Sequence, residues 1–358
     1  MPPAPLPSLL ALTPSELSNA LVELGQPAFR AKQILDWLWK KRAASWDDMK
    51  NLPGALRESL SEKYTLRSLT HVQTQGSQEA TQKFLYRLDD GRYIESVILP
   101  ASQALYGEVA DRRTLCVSSQ VGCAFGCKFC ASGLGGFTRN LRADEIIEQI
   151  IQAEELSGHK VNNIVFMGMG EPLANWDNFT QALDFINEPW GLHIGARHLT
   201  LSSSGHAPHI KRLADDHRQI RLAISLHGAS NEVRDLIMPV NKKWPLETLF
   251  EALDYWTSKK KQMITFEYIL IDKLNNGDDQ LRLLIRHAKR FHAKINLIPY
   301  NTVEGLLWKR PAEKDCYRFR DGLIKAGIPV TMRIEKGGDI DAACGQLRLK
   351  KETSEGLI

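Results

Sequence analysis

The 358-residue chain has no stretch approaching eighteen uninterrupted apolar residues, so it offers no membrane-spanning helix. Its start, MPPAPLPSLLALTPSEL, places no basic residue ahead of its short apolar run, unlike a secretory leader. Both absences lead us to expect a cytoplasmic protein with no membrane association. Cysteine is scarce, six residues in all, and in a reducing compartment such thiols seldom form structural disulfides. Charge imbalance is also small: a net +4 decides little by itself. No internal repeat or low-complexity segment stands out.

What is present is an ordinary globular composition, 43% hydrophobic and 25% charged, enough for one large domain with an appendage. We divide it into an N-terminal helical accessory domain (1–75), a β-hairpin extension and connection (76–113), a core (114–347) and a tail (348–358) that looks frayed and dispensable. Thr13-Pro14-Ser15-Glu16 resembles a capped helix start. The pair Asp90-Gly91 between alternating apolar residues signals a hairpin over 81–99. The segment FRAKQILDWLWKKRAASW carries Arg30, Lys32, Lys40, Lys41 and Arg42 with Trp37 and Trp39 interleaved. Its cations read either as a solvated helix face or as an RNA contact.

After residue 114, apolar runs alternate with helical patterns. LCVSS, NNIVFMGMG, HLTLSSS, RLAISLHG, TFEYILI, KINLIPY and VTMRI are separated by segments such as ADEIIEQIIQAEEL and LETLFEALDYWTSK. This predicts an α/β fold, a parallel sheet covered by helices and closed partly or fully into a barrel. In such folds the working site lies at the carboxyl ends of the strands. Gly170-Glu171, Ser202, Ser225-Leu226-His227 and Asn301 fall there.

Four of the six cysteines lie within CVSSQVGCAFGCKFC, residues 116–130. Cys123, Cys127 and Cys130 form C-x3-C-x2-C directly after a predicted strand. Structural zinc sites usually close with four ligands, whereas three thiolates leave one iron of a 4Fe-4S cluster open to substrate. Zinc with a distant fourth ligand and unrelated core thiols are the alternatives.

The same C-x3-C-x2-C spacing, with Gly170-Glu171-Pro172 after the next strand, resembles the radical S-adenosylmethionine superfamily. CVSSQVGC, GFTRNL, FMGMGEPL, SLH, INLIPYN and RIEKGGDIDAACGQL together resemble its RlmN/Cfr family of RNA methyltransferases, and FRAKQILDW resembles that family's N-terminal domain. The resemblance implies a partial (β/α)6 TIM-like barrel, a 4Fe-4S cluster on Cys123, Cys127 and Cys130, and two S-adenosyl-L-methionine molecules per turnover. It implies that Gly170, Glu171, Ser202, Ser225, Leu226, His227 and Asn301 line the adenosylmethionine pocket. Cys344 would carry a methyl group, lose hydrogen to a 5'-deoxyadenosyl radical and add to an adenine. Cys116 would then resolve the protein–RNA crosslink through a disulfide with Cys344, and either Glu95 or Cys116 would take the adenine proton. Glu95 could instead be a strand carboxylate facing solvent. Implied substrates are 23S rRNA and tRNA, methylated at carbon-2, or at carbon-8 in the Cfr-like alternative. A flavodoxin-type electron donor and a monomeric state are further expectations. Three departures from the family pattern, a longer connection ASQALYGEVADRR at 101–113, histidines in GHAPHI and the segment LNNGDDQ, leave substrate contacts open. A radical enzyme acting on a small molecule and a zinc-bound RNA module are the competing classes.

Overall fold

The structure, a computed structural model, describes residues 6–77, 80–101, 112–303, 305–332 and 345–356. Most of the 101–113 connection lies outside them. Twelve strands are described. β1 (Leu69–Gly76), β2 (Gln82–Leu88), β3 (Tyr93–Pro100), β4 (Arg113–Cys116), β7 (Asn163–Phe166), β8 (Leu199–Ser203), β9 (Arg221–Ser225), β10 (Thr265–Leu270), β11 (Lys294–Pro299) and β12 (Val330–Met332) form one sheet. Its order is β1-β2-β3-β4-β7-β8-β9-β10-β11-β12. From β4 onward every pairing is parallel, and β1 and β12 remain as edges, so the barrel is open. All seven predicted apolar runs form these parallel strands, and the fold is the expected α/β partial barrel. β5 (Gln120–Gly122) and β6 (Phe137–Asn140) pair separately.

Local chemistry accounts for the elements. Thr13 caps the helix Pro14–Glu23 reciprocally with Glu16, a capping box. The hairpin turn closes with Gly91 at φ +80°, where glycine carries no steric cost. The β7, β8 and β9 runs are mostly buried, as strands covered on both faces require.

Three expectations need correction. Residues 69–76, read as helical, are a strand paired antiparallel to β2; its burial is poor beyond Leu69, so no clean apolar alternation marked it. The tail is not frayed. It forms the helix Gln346–Ser354 with Leu347, Arg348 and Glu352 buried. The basic segment is also only partly solvated: Arg42 pairs with Glu154 at 2.9 Å, and Trp39 is buried, stacked on Phe185 with centroids 5.8 Å apart. Both join the N-terminal helices to the barrel.

Candidate active site

Cys123, Cys127 and Cys130 sit on a loop whose two ends are tied by the β5–β6 ladder. Gly122 there has φ +77°, and a Cβ would lie 1.8 Å from the Gly136 carbonyl oxygen, so only glycine fits. The loop folds back on itself, Cys130 N–H donating to the Cys127 carbonyl at 3.1 Å. It docks on the barrel through Lys128 N–H to the Ile237 carbonyl at 2.8 Å. Cys127 and Phe129 join a buried apolar cluster with Val233, Ile237, Met238 and Tyr300.

Burial, helped by neighbouring Cys130, pushes the Cys123 thiol up to about 12. Burial, then Cys130 and Cys123, raise Cys127 as well. Three thiols that oppose each other's ionisation in an apolar wall become thiolates only with cations to bind, and iron supplies them. Three thiol donors on one short loop fit an iron–sulfur cluster.

The predicted cofactor residues come together at the strand ends. Gly170, at φ +99°, passes so close to Gln120 that a Cβ would meet it at 2.5 Å. Glu171 is buried and accepts from the amides of Leu173 (3.3 Å) and Ser204 (2.8 Å); burial lifts its carboxyl to about 7. It ties the end of β7 to the end of β8. The Ser202 and Ser225 hydroxyls meet at 3.1 Å. Leu226 is fully buried, its N–H donating to the Glu267 carbonyl at 3.0 Å. His227, at φ +55°, accepts the Ile269 amide on Nδ1 at 3.1 Å, and burial drives its pKa down to about 3. The ring is thus neutral with its proton on Nε2, and it meets Phe129 edge-on at 5.0 Å. Asn301 keeps a buried Oδ1 with no hydrogen-bond partner among the described residues. Such an orphan acceptor calls for a donor from a ligand.

Glu95 and Cys116 share a crevice with Val97, Ser118, Gly168 and Met169. Glu95 does not face solvent: it is buried and paired with buried Lys83 at 3.3 Å. Its carboxylate accepts from Gly345 N–H (3.0 Å) and Arg348 N–H (2.5 Å). Cys344 lies outside the described residues, but Gly345, which follows it, is held on Glu95. Cys316 is buried in the main core.

Three residues escaped the sequence reading. Lys83 was signalled only by a cation in an apolar strand. Asn275, within the divergent LNNGDDQ, donates to the carbonyls of His227 (2.7 Å) and Ile269 (2.6 Å). Arg234 donates to carbonyls at the ends of β8 and β9. The unexpected His206 and His209 stack at 4.2 Å, with Trp244 4.3 Å from His206, beside Phe125 of the cysteine loop.

Comparison with known proteins agrees with this geometry. The sequence model of the Radical SAM superfamily matches residues 117–285. That of the ribosomal RNA large subunit methyltransferase N-terminal domain matches residues 8–66. The chain is 58% identical to a probable dual-specificity RNA methyltransferase RlmN of Akkermansia muciniphila, over 97% of each chain. It is 43% identical to that of Staphylococcus aureus, over 97% of this chain and 94% of the relative. The crystal structure of a radical SAM methyltransferase from Sphaerobacter thermophilus superposes with TM-score 0.88 at 38% identity, covering 96% of this chain and 99% of that one.

Proposed function

This chain belongs to the RlmN family of radical S-adenosylmethionine RNA methyltransferases, and we propose that it methylates carbon-2 of an adenosine in the peptidyl transferase centre of 23S rRNA and in the tRNA anticodon loop. The family's cofactors are a 4Fe-4S cluster and S-adenosyl-L-methionine. Bound here, they supply a methyl group and the one-electron chemistry that an unreactive sp2 carbon demands. Cys123, Cys127 and Cys130 would hold the cluster. Gly170, Glu171, Ser202, Ser225, Leu226, His227 and Asn301 would shape the adenosylmethionine pocket, with the orphan Asn301 oxygen as one acceptor. Cys344 would carry the methyl group to the base. Cys116 would release the product by forming a disulfide with Cys344, and Glu95 or Cys116 would accept the adenine proton.

The observation that carries this reading is the crevice itself. Cys116 and Glu95 line it together, and Glu95 binds the amide of the residue directly after Cys344. Cys116, Glu95 and the residue after Cys344 thus lie together, which supports roles for them as resolving thiol, base and neighbour of the methyl carrier. The enzyme would act as a cytoplasmic monomer served by a flavodoxin-type donor. Among the described residues no helix is long and apolar enough to cross a membrane.

The test is mass spectrometry of adenosines from rRNA and tRNA treated with the anaerobically prepared enzyme. We expect 2-methyladenosine from wild type, none from Cys344→Ala, and a covalent protein–RNA adduct from Cys116→Ala. Formation of 8-methyladenosine would replace the carbon-2 assignment; turnover by Cys344→Ala would end the reading.

A further inference from the structure

The helix Asn231–Ile237 carries a side chain that neither the cysteine motif nor the adenosylmethionine positions account for. Arg234 is entirely buried. Its Nε donates to Asn241 Oδ1 at 2.8 Å. One terminal nitrogen donates to the carbonyls of Ser225 (3.3 Å) and Leu226, the other to the Ser204 carbonyl at 2.9 Å. Asn241 is itself fixed, its amide donating to Asn231 (3.1 Å) and Asp235 (2.8 Å).

Every one of those acceptors is neutral. They satisfy the guanidinium's hydrogen bonds but leave its charge uncompensated, and an uncompensated buried charge costs several kcal/mol. Two groups near it can be anionic, Asp235 and, once it binds metal as a thiolate, Cys127. Asp235 is exposed and so screened by water, whereas Cys127 is buried. The cysteine loop also rests on Arg234's own helix, through Lys128 N–H to the Ile237 carbonyl and through the packing of Cys127 against Val233 and Ile237.

We propose that Arg234 is the charge-compensating and positioning residue of the cluster site. Its buried guanidinium offsets the negative charge of the thiolates and of the electron that the cluster accepts, and it joins the carboxyl ends of β8 and β9 that frame the pocket. The inference rests on the reading that Cys123, Cys127 and Cys130 hold a 4Fe-4S cluster. In the step at issue one electron enters from a chemical reductant, dithionite, and no bond forms or breaks. The site becomes more negative by one charge. A nearby fixed cation favours the reduced form, and its removal disfavours it.

The experiment compares anaerobically reconstituted wild type, Arg234→Lys, Arg234→Gln and Asn241→Asp. Iron and sulfide content is measured first. Redox titration then follows the visible absorbance and the electron paramagnetic resonance signal of the reduced cluster. At a fixed potential, Arg234→Gln should lower the reduced-to-oxidised ratio on the order of tenfold. Arg234→Lys should stay close to wild type, because it keeps the charge while losing most of the carbonyl bonds. Asn241→Asp, which retains Arg234 but neutralises it in place, should fall as Arg234→Gln does, and it decides the matter if Arg234→Gln does not fold. Three results would overturn the proposal: an unchanged ratio in a fully loaded Arg234→Gln, an unchanged ratio in Asn241→Asp, or an equal fall in Arg234→Lys. Wild-type protein that takes up no iron and sulfide would instead defeat the cluster reading, before any variant is compared.

Discussion

Glu95 cannot be understood from its own strand. Its carboxylate is shared between the Lys83 ammonium and two backbone amides, so in this conformation it is a clasp on the segment that follows Cys344. Oε2 is held by Lys83 and Gly345, whereas Oε1 takes the Arg348 amide alone and keeps a lone pair with which it could accept an adenine proton. Lys83 and Glu95 form a buried ion pair, and removing one partner of such a pair typically costs ~3–5 kcal/mol. Lys83→Met should destabilise the protein by about that amount in urea titrations. The double variant Lys83→Met/Glu95→Leu should regain most of the stability, because a buried pair is often replaceable by apolar side chains. It should not regain methylation, because the clasp on Gly345 and Arg348 is gone. A double variant with wild-type turnover would remove Glu95 from both roles.

At the level of elements, the terminal helix Gln346–Ser354 closes the site from behind. Leu347 packs with Leu85 and Tyr93, Arg348 meets Glu352 at 2.6 Å with both side chains buried, and the Tyr93 hydroxyl donates to Glu355 at 2.8 Å. At its start a Cβ on Gly345 would meet the Ser132 hydroxyl at 2.6 Å, two residues beyond Cys130. Truncation after Gly345 keeps all six cysteines yet should lower methylation about a hundredfold, the usual cost of a small misplacement at a reacting centre. Rate and melting curves measured together check it: full activity in the truncated chain would make the helix mere packing. This helix also marks where sequence reading stopped. The barrel strands were legible because their apolar runs are continuous, and the cysteine loop because its spacing is local. The tail was not, since KKETSE is polar along its length and its helix is held by Tyr93 and Glu95, some 250 residues away. Arg234 was hidden for a different reason: its acceptors are largely backbone carbonyls, which leave no pattern in a sequence.

For the molecule as a whole, the question is which surface meets RNA. The N-terminal helices are locked to the barrel by Arg42–Glu154 and by Arg67–Glu155 at 2.6 Å, with Trp39 between Phe185 and Trp190. The basic segment is therefore two things at once, an inner face that fixes the domain and an outer face that stays wet. Arg42 and Trp39 belong to the first. Lys32, Lys40 and Lys41 belong to the second and are exposed, with Lys41 lying 3.9 Å over the Trp37 ring. Each phosphate contact through a lysine contributes about one unit to the slope of log affinity against log salt. Replacing Lys32, Lys40 and Lys41 by alanine should weaken RNA binding and flatten that slope by up to about three units, while RNA-free cleavage of adenosylmethionine is unchanged. Arg42→Ala should do the reverse, loosening the domain contact and lowering the melting temperature with little effect on the slope. Filter binding across a salt series, set beside thermal melts, separates the two faces; an unchanged slope in the triple variant would move the RNA contact elsewhere, the stacked His206, His209 and Trp244 beside the cysteine loop being the next surface to examine.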